Sequence, residues 1–299
     1  MNRVGREEQS NQMAANLRRL VRRQSLMLPG AYNGATARLI QRAGFPAVYA
    51  SGAGMCNATA GVPDIGLLSL EEVATLAGYI AAAVKIPVIA DADTGFDDPA
   101  RTVKLFRSAG LAGMHIEDQE FPKRCGHLGG KTVVAYKEMI RRIRAAVKAR
   151  VNNDFLIIAR TDARAVEGLE PAIARAKEYL AAGADAIFPE ALETAKEFAD
   201  FSQQVGGILM ANMTEFGRGP LLSAWQLAAM GYRLVIFPQT AFRVAMKSQE
   251  LCLNYLHKSG SQKKWLGKMQ TRGELYELLE YDPNSDIWPK GTIHERAKR

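Results

Sequence analysis

Four nine-residue stretches of the sequence share one pattern: "RAGFPAVYA" (42–50), "SAGLAGMHI" (108–116), "AAGADAIFP" (181–189) and "AMGYRLVIF" (229–237). In each, a helix-like segment ends at a glycine, and a short apolar run begins three positions later. Glycine is common just past a helix end because it adopts the left-handed backbone that closes the last turn. A helix that stops at glycine and leads directly into an apolar strand is typical of a parallel α/β sheet.

The rest of the chain repeats this alternation of strands and helices. Segments with helical apolar spacing, such as 69–84 and 170–183, separate the strands. The predicted strands are 25–32, 47–52, 87–93, 113–118, 155–162, 186–190, 207–213 and 234–239. An open dinucleotide-binding sheet usually has a G-x-G-x-x-G turn after its first strand, and "PGAYNGA" (29–35) does not match it. We therefore predict an α/β fold, a (β/α)₈ TIM barrel, as one domain over 1–299 with helical extensions at 1–24 and 245–299.

Composition narrows the class of protein. The 299 residues are 47% hydrophobic and 23% charged, which is ordinary for a globular chain. No apolar run reaches the length of a membrane span, and the polar start lacks a secretory signal. Three widely spaced cysteines indicate a reducing compartment, here the cytoplasm. The net charge of +8 clusters on helix-like segments without interleaved aromatics, which favours small acidic substrates over nucleic acid.

Polar residues stand at the carboxyl ends of most predicted strands, where TIM barrels carry their chemistry. The opposite ends are apolar, a bias that a purely structural barrel does not need. These residues are Tyr49, Ser51, Asp91, Asp93, Glu117, Asp118, Arg160, Asp162, Glu190, Asn212 and Thr214.

Asp91 and Asp93 are two residues apart on a predicted strand, so both carboxylates project to the same side. Two such charges about 4 Å apart repel by roughly 4 kcal/mol at an effective dielectric near 20. A cation, a proton or an arginine must compensate them. Mg²⁺ or Mn²⁺ suits oxygen ligands, and Glu117 on the next strand can add one. The alternative is that Asp93 caps the following helix while Asp91 pairs with a buried arginine.

The glycine-rich loop "EDQEFPKRCGHLGGKT" (117–132) places Cys125 and His127 among cations. Positive neighbours lower a thiol pKa and attract anions, and the glycines allow the loop to close over a ligand. A proton donor on a lid follows from this pattern. The ending "GGKT" is not a Walker A motif, because residue 125 would have to be glycine. A buried structural thiol is the alternative, although that role suits Cys56 and Cys252 better.

The motifs "ADADTGF" (90–96), "HIEDQ" (115–119) and "KRCGH" (123–127) resemble the isocitrate lyase and phosphoenolpyruvate mutase superfamily. The likeness continues through "ARTDARAVEGL" (159–169), "FPQTAFR" (237–243) and "MQTRGELYE" (269–277), nearly to the end of the chain. Within the superfamily it is greatest to the branch that cleaves 2-methylisocitrate to pyruvate and succinate in the methylcitrate cycle. The resemblance therefore implies a Mg²⁺-dependent carbon–carbon lyase of propionate catabolism.

The resemblance also implies roles for individual residues. Asp91 and Asp93 would hold Mg²⁺, and Asp64 and Glu117 would bind its waters. Cys125 would protonate the succinate carbanion, and we predict Tyr49 as the base. The implied substrate-binding residues are Ser51, Gly52, Ala53, Gly126, His127, Arg160, Glu190, Asn212, Thr214, Arg243 and Arg272. The implied specificity residues, which would surround the substrate methyl group, are Phe188, Ile236 and Pro238.

Other interpretations stay open. Related short lyases act on isocitrate or 2,3-dimethylmalate, and Phe188, Ile236 and Pro238 would also serve as simple core packing. Superfamily members for oxaloacetate or phosphonopyruvate lack the "KRCGH" loop. A barrel that only binds acidic metabolites would not need the full set of site residues.

The C-terminal region predicts two helices, 245–265 and 271–283. An amphipathic helix after a closed barrel has little core of its own to cover. The superfamily packs such a helix against a neighbouring subunit, so we expect a homotetramer with exchanged helices. The alternative is a helix folded back on its own barrel.

Overall fold

Eight parallel strands form a closed barrel in chain order, with β1 hydrogen-bonded to both β2 and β8. The computed structural model describes residues 3–124 and 129–282. The strands are β1 (Leu26–Ala31), β2 (Val48–Ala50), β3 (Val88–Asp91), β4 (Gly113–Glu117), β5 (Leu156–Thr161), β6 (Ala186–Pro189), β7 (Ile208–Asn212) and β8 (Leu234–Phe237). The predicted TIM barrel is confirmed, and every predicted strand contains an observed one.

Helices connect the strands and form the outer layer. They are α1 (Arg3–Arg23), α2 (Gly34–Arg42), α3 (Gly52–Met55), α4 (Leu70–Ala83), α5 (Pro99–Ser108), α6 (Tyr136–Ala149), α7 (Leu169–Ala181), α8 (Ala195–Val205), α9 (Ala224–Ala229), α10 (Thr240–Ser259) and α11 (Arg272–Leu278). The glycines of the four repeated stretches lie two residues past the ends of α2, α5, α7 and α9, with φ between 87° and 107°. This left-handed backbone is the one that side-chain-bearing residues rarely adopt, which explains the recurring glycine.

Apolar side chains fill the barrel interior, and α1 covers its amino end. Leu17 and Val21 of α1 pack into the same buried cluster as the inward-facing residues Leu28, Ile158 and Met210. At this end Arg18 also pairs with Asp185, which precedes β6, at 2.8 Å. The amino end is therefore sealed, and polar chemistry is confined to the carboxyl ends of the strands.

Helix α10 differs from the others because none of its residues is buried. It begins at Thr240, directly after β8, and ends at Ser259, so the predicted helix 245–265 was wrong at both ends. A 3₁₀ turn at Lys263–Lys268 and α11 follow it. Val244 and Leu253 are more than 60% exposed. Among residues 3–124 and 129–282, no helix combines the length and apolar character that crossing a membrane requires.

Candidate active site

A cavity of about 250 Å³ opens at the carboxyl end of the barrel. Most of the predicted site residues line it, because side chains two positions beyond the interior-filling residues continue on the inner face of each strand. Its predicted lining residues are Tyr49, Ser51, Ala53, Asp64, Asp91, Arg160, Phe188, Glu190, Asn212, Thr214, Ile236, Pro238 and Arg243. Asn57, Pro63 and Gln239 also line it and were not predicted.

The two aspartates do not lie on one strand as predicted. Strand β3 ends at Asp91, and Asp93 has a left-handed backbone with φ of 48°. The backbone N–H of Asp93 donates to Asp91 Oδ1 at 3.0 Å, so the two residues still face one another. Asp98, rather than Asp93, caps the next helix, which removes the helix-cap interpretation of Asp93.

Lys123 supplies the positive charge that the paired aspartates need. Its buried Nζ lies 2.6 Å from Asp64 Oδ1 and also contacts Asp93 Oδ1. Burial opposes the charge of this ammonium, but the surrounding carboxylates, Asp93 first, raise the pKa of Lys123 well above its usual value. Sequence reasoning assigned Lys123 to the thiol loop and missed this contact, which joins residues far apart in the chain.

The carboxylates of this cluster have different proton affinities. Burial raises the pKa of Asp93 to about 6 despite Lys123, helped by the repulsion of Asp91. Burial disfavours the charge on Asp91 too, but the positive groups His115, Lys123 and Arg160 outweigh it and lower its pKa to about 2. Asp91 is therefore the permanently charged member of the pair.

Arg160 holds together the acidic residues on the opposite wall. Its Nε lies 3.2 Å from Glu117 Oε2, and its guanidinium also contacts Asp162 at 2.9 Å and Glu190 at 3.5 Å. Burial raises the pKa of Glu117 well above its usual value, and Glu117 Oε1 is buried without a hydrogen-bond partner within residues 3–124 and 129–282. Glu117 therefore offers an unused acceptor toward the acidic cluster.

Tyr49 and His115 form a buried polar pair beneath the cavity. Tyr49 Oη lies 2.9 Å from His115 Nε2, which in turn is 3.5 Å from Asp91 Oδ1. Burial, followed by the charge of Asp91, raises the pKa of Tyr49 well above its usual value, and burial lowers that of His115. Both groups are therefore neutral at neutral pH. His115 was not among the predicted site residues, although its inward position on β4, two residues before Glu117, could have indicated it.

Ser51 and Gly52 start the short helix α3 beside Asp91. The Ser51 hydroxyl accepts a hydrogen bond from the Gly54 N–H at 3.1 Å and caps the helix. A Cβ on Gly52 would lie 2.6 Å from Asp91 Oδ2, so only glycine fits there without moving that carboxylate. The first N–H groups of a helix have no intrahelical acceptors, so those of Gly52 and Ala53 are suited to a carboxylate.

The acidic cluster fits a divalent cation in its chemistry. Asp64, Asp91, Asp93 and Glu117 supply only oxygen donors, the preferred ligands of Mg²⁺, and Glu117 Oε1 lacks a partner. Within the described ranges, no three His, Cys, Asp or Glu side chains are already gathered into a metal-binding geometry. The Lys123 ammonium holds Asp64 and Asp93 instead, so a bound cation would replace its charge.

Four predicted residues lie elsewhere. Cys125, Gly126 and His127 fall outside the described residues. Arg272 is the first residue of α11, is exposed, and does not line the cavity of its own chain. Of the alternative structural thiols, Cys56 is buried with its pKa raised to about 12 by burial, whereas Cys252 on α10 is only half-buried.

Comparisons with known proteins agree with this architecture. The sequence model of the phosphoenolpyruvate phosphomutase family matches residues 17–254. The 2-methylisocitrate lyase of Aeropyrum pernix is 47% identical over 89% of this chain and 86% of its own. A probable 2-methylisocitrate lyase of Corynebacterium glutamicum is 49% identical over 93% of this chain and 91% of its own.

Solved structures give the same result. A crystal structure of 2,3-dimethylmalate lyase superposes with a TM-score of 0.85 at 36% identity, over 89% of this chain and 91% of that one. A phosphonopyruvate hydrolase crystallised with oxalate and Mg²⁺ has a TM-score of 0.80 at 29% identity, over 91% of this chain and 95% of that one. The resemblance seen in the sequence motifs is confirmed, and the chain belongs to the phosphoenolpyruvate phosphomutase family of the isocitrate lyase superfamily.

Proposed function

We propose that the protein is a carbon–carbon lyase that cleaves 2-methylisocitrate to pyruvate and succinate, and so acts in the methylcitrate cycle of propionate catabolism. The observation that carries this proposal is the division of one cavity into three chemical zones. An acidic zone contains Asp64 and Asp91, a basic zone contains Arg160 and Arg243, and Phe188, Ile236 and Pro238 form an apolar wall. A tricarboxylate with one hydroxyl and one extra methyl group complements all three.

Mg²⁺ is the proposed cofactor, held by Asp91 and Asp93 with Asp64 and Glu117 on its waters; Mn²⁺ offers the same chemistry. When bound, the ion would acidify the C2 hydroxyl of the substrate and polarise the oxygen that becomes the pyruvate carbonyl.

The two ends of the cavity divide the substrate. Ser51 and the N–H groups of Gly52 and Ala53 receive the carboxylate of the pyruvate half. Arg243, Asn212 and Thr214 receive the succinate half, with Glu190 and the loop residues Gly126 and His127 beside it. Arg160, fixed by its acidic partners, supplies buried positive charge where negative charge develops during cleavage.

Cleavage breaks the C2–C3 bond. The C2 hydroxyl loses its proton to the Tyr49–His115 pair, the C2 carbonyl forms, and the bonding electrons pass to C3. Because burial keeps Tyr49 protonated, its phenolate would form only under the influence of nearby positive charge. Cys125 then donates its thiol proton to C3, which completes succinate.

The test is a coupled assay of pyruvate release from racemic 2-methylisocitrate with Mg²⁺, repeated with EDTA. We expect release that EDTA abolishes and that excess Mg²⁺ restores. Absence of pyruvate, or release indifferent to EDTA, would contradict the proposal. The structural similarity to 2,3-dimethylmalate lyase makes that compound the second candidate substrate, so the same assay compares kcat/KM for 2-methylisocitrate, isocitrate and 2,3-dimethylmalate.

We also propose that the protein forms a homotetramer in which α10 packs on a neighbouring subunit. The exposed apolar side chains of α10, including Val244, Leu251 and Leu253, support this. Exchange of this region would bring Arg272 to the partner's cavity. Co-expression of Cys125→Ser with Arg272→Ala chains tests it: mixed tetramers should recover activity that neither variant has alone, whereas a site completed within one chain would give no recovery.

A further inference from the structure

Gln239 is a buried polar residue of the cavity wall that the proposed function has not used. It lies between β8 and α10, its side chain is only 7% exposed, and it lines the same cavity as Ser51, Arg160 and Arg243. Its Oε1 is buried and has no hydrogen-bond partner within residues 3–124 and 129–282. An unpartnered buried amide destabilises a fold, so this side chain is better suited to a bound ligand than to the free protein.

Gln239 and Arg243 face the cavity from the same side. The Arg243 backbone N–H donates to the Gln239 carbonyl at 2.8 Å, so the two residues are one helical turn apart. Glu215, 3.6 Å from the Arg243 Nε, and the Phe216 ring, 5.4 Å from the guanidinium carbon, hold Arg243 beside Gln239. An amide and a guanidinium are therefore available together for one ligand group.

The matching ligand group is a carboxylate. A half-turn of the Gln239 amide exchanges its oxygen and nitrogen, so the NH₂ group can point where Oε1 now lies. Carboxylate oxygens only accept hydrogen bonds, and they bind well between a guanidinium and a second N–H donor.

We propose that Gln239 is a specificity-determining residue that donates a hydrogen bond to the substrate carboxylate bound by Arg243. This proposal rests on the proposed function and deepens it. 2-Methylisocitrate carries a CH₂–carboxylate in its succinate half, where 2,3-dimethylmalate carries only a methyl group. With the smaller substrate the amide stays buried and unpaired, which selects against it. Gln239 thus favours a tricarboxylate over a dicarboxylate.

Gln239→Leu tests this proposal, with Gln41→Leu as the matched control. Gln41 is outside the cavity, and its Oε1 accepts a hydrogen bond from the Lys85 N–H at 2.6 Å. For Gln239→Leu we expect KM for 2-methylisocitrate to rise about 10–100-fold while kcat changes by less than about threefold, because the lost bond serves binding. The constant for 2,3-dimethylmalate, measured as substrate or as competitive inhibitor, should stay the same or improve.

Two measurements without turnover complete the test. Calorimetric binding of succinate should weaken by a similar factor in Gln239→Leu and be unchanged in Gln41→Leu. The midpoint of thermal unfolding without ligand should rise in Gln239→Leu, because an unpaired amide is removed, and fall in Gln41→Leu, because a formed bond is lost.

The proposal is overturned if Gln239→Leu weakens both substrates equally, leaves succinate affinity unchanged, or lowers the midpoint of the unliganded protein. Succinate binding does not require cleavage. A wild-type protein that binds succinate but releases no pyruvate would therefore contradict the proposed function, while the Gln239→Leu comparison would still decide the role of the amide.

Discussion

Replacing Lys123 by methionine should destabilise the protein most when no divalent cation is present. The Lys123 ammonium is 4% exposed and lies 2.6 Å from Asp64 Oδ1, with Asp93 as its second partner. At an effective dielectric near 20, one charge pair at that distance attracts by about 6 kcal/mol, and desolvation offsets part of this. Removing one partner of a buried pair typically costs about 3–5 kcal/mol, because the other charges are left uncompensated.

For a chain of this size that loss corresponds to a decrease of about 6–10 °C in the thermal midpoint. The assay is thermal unfolding of wild type and Lys123→Met in EDTA and in saturating Mg²⁺. We expect the deficit to shrink in Mg²⁺, because the cation replaces the missing ammonium. Calorimetry should also show Mg²⁺ binding at least about tenfold tighter in Lys123→Met, since no ammonium has to leave the carboxylates.

Lys196→Met is the matched control. Lys196 Nζ is also 2.6 Å from a carboxylate, that of Asp200, but its side chain is 82% exposed. Exposed pairs contribute about 1 kcal/mol or less, so this variant should unfold close to wild type in both buffers. Equal losses in the two lysine variants, or a Lys123→Met deficit unaffected by Mg²⁺, would refute the idea that Lys123 and the cation compete for the same carboxylates.

Three further predictions concern the same site. Gly52→Ala places a Cβ 2.6 Å from Asp91 Oδ2, so calorimetry should show Mg²⁺ affinity reduced about 10–100-fold, whereas Gly267→Ala, with no atom within 4 Å of the new Cβ, should leave it unchanged. Because the pKa of Asp93 is about 6, protons compete with the cation below that pH; Mg²⁺ affinity should therefore rise as pH increases from 5 to 7 and level off above, and a flat profile would contradict this assignment. Cys125→Ser should remove most pyruvate release while Mg²⁺ affinity, measured by calorimetry, stays at the wild-type value; near-normal turnover would exclude the thiol as the proton donor.

The fold and the position of the site could be predicted because local rules govern them. A left-handed glycine after a helix and an apolar run three residues later are short-range signals, and four such junctions established the α/β alternation. Residues at strand ends then follow from strand periodicity, which placed Ser51, Arg160 and Asn212 correctly around one cavity.

The details that the sequence did not reveal depend on contacts between distant segments. Lys123 reaches Asp64 across 59 positions of the chain, and no spacing rule predicts such a pair. Asp93 leaves β3 in a left-handed conformation, so the alternation rule stopped applying two residues too early. His115 and Gln239 are polar residues within or directly after apolar strands, and only their burial against the cavity distinguishes them from surface positions.

The seal that α1 makes at the amino end has a consequence for the order of events in catalysis. With that end filled by Leu17 and Val21, reactant and both products share a single doorway at the carboxyl end. The pyruvate half would lie deepest, against buried Ser51, and the succinate half nearer the half-exposed Arg243. Succinate must then depart first, and pyruvate can escape only after the space in front of it has been vacated.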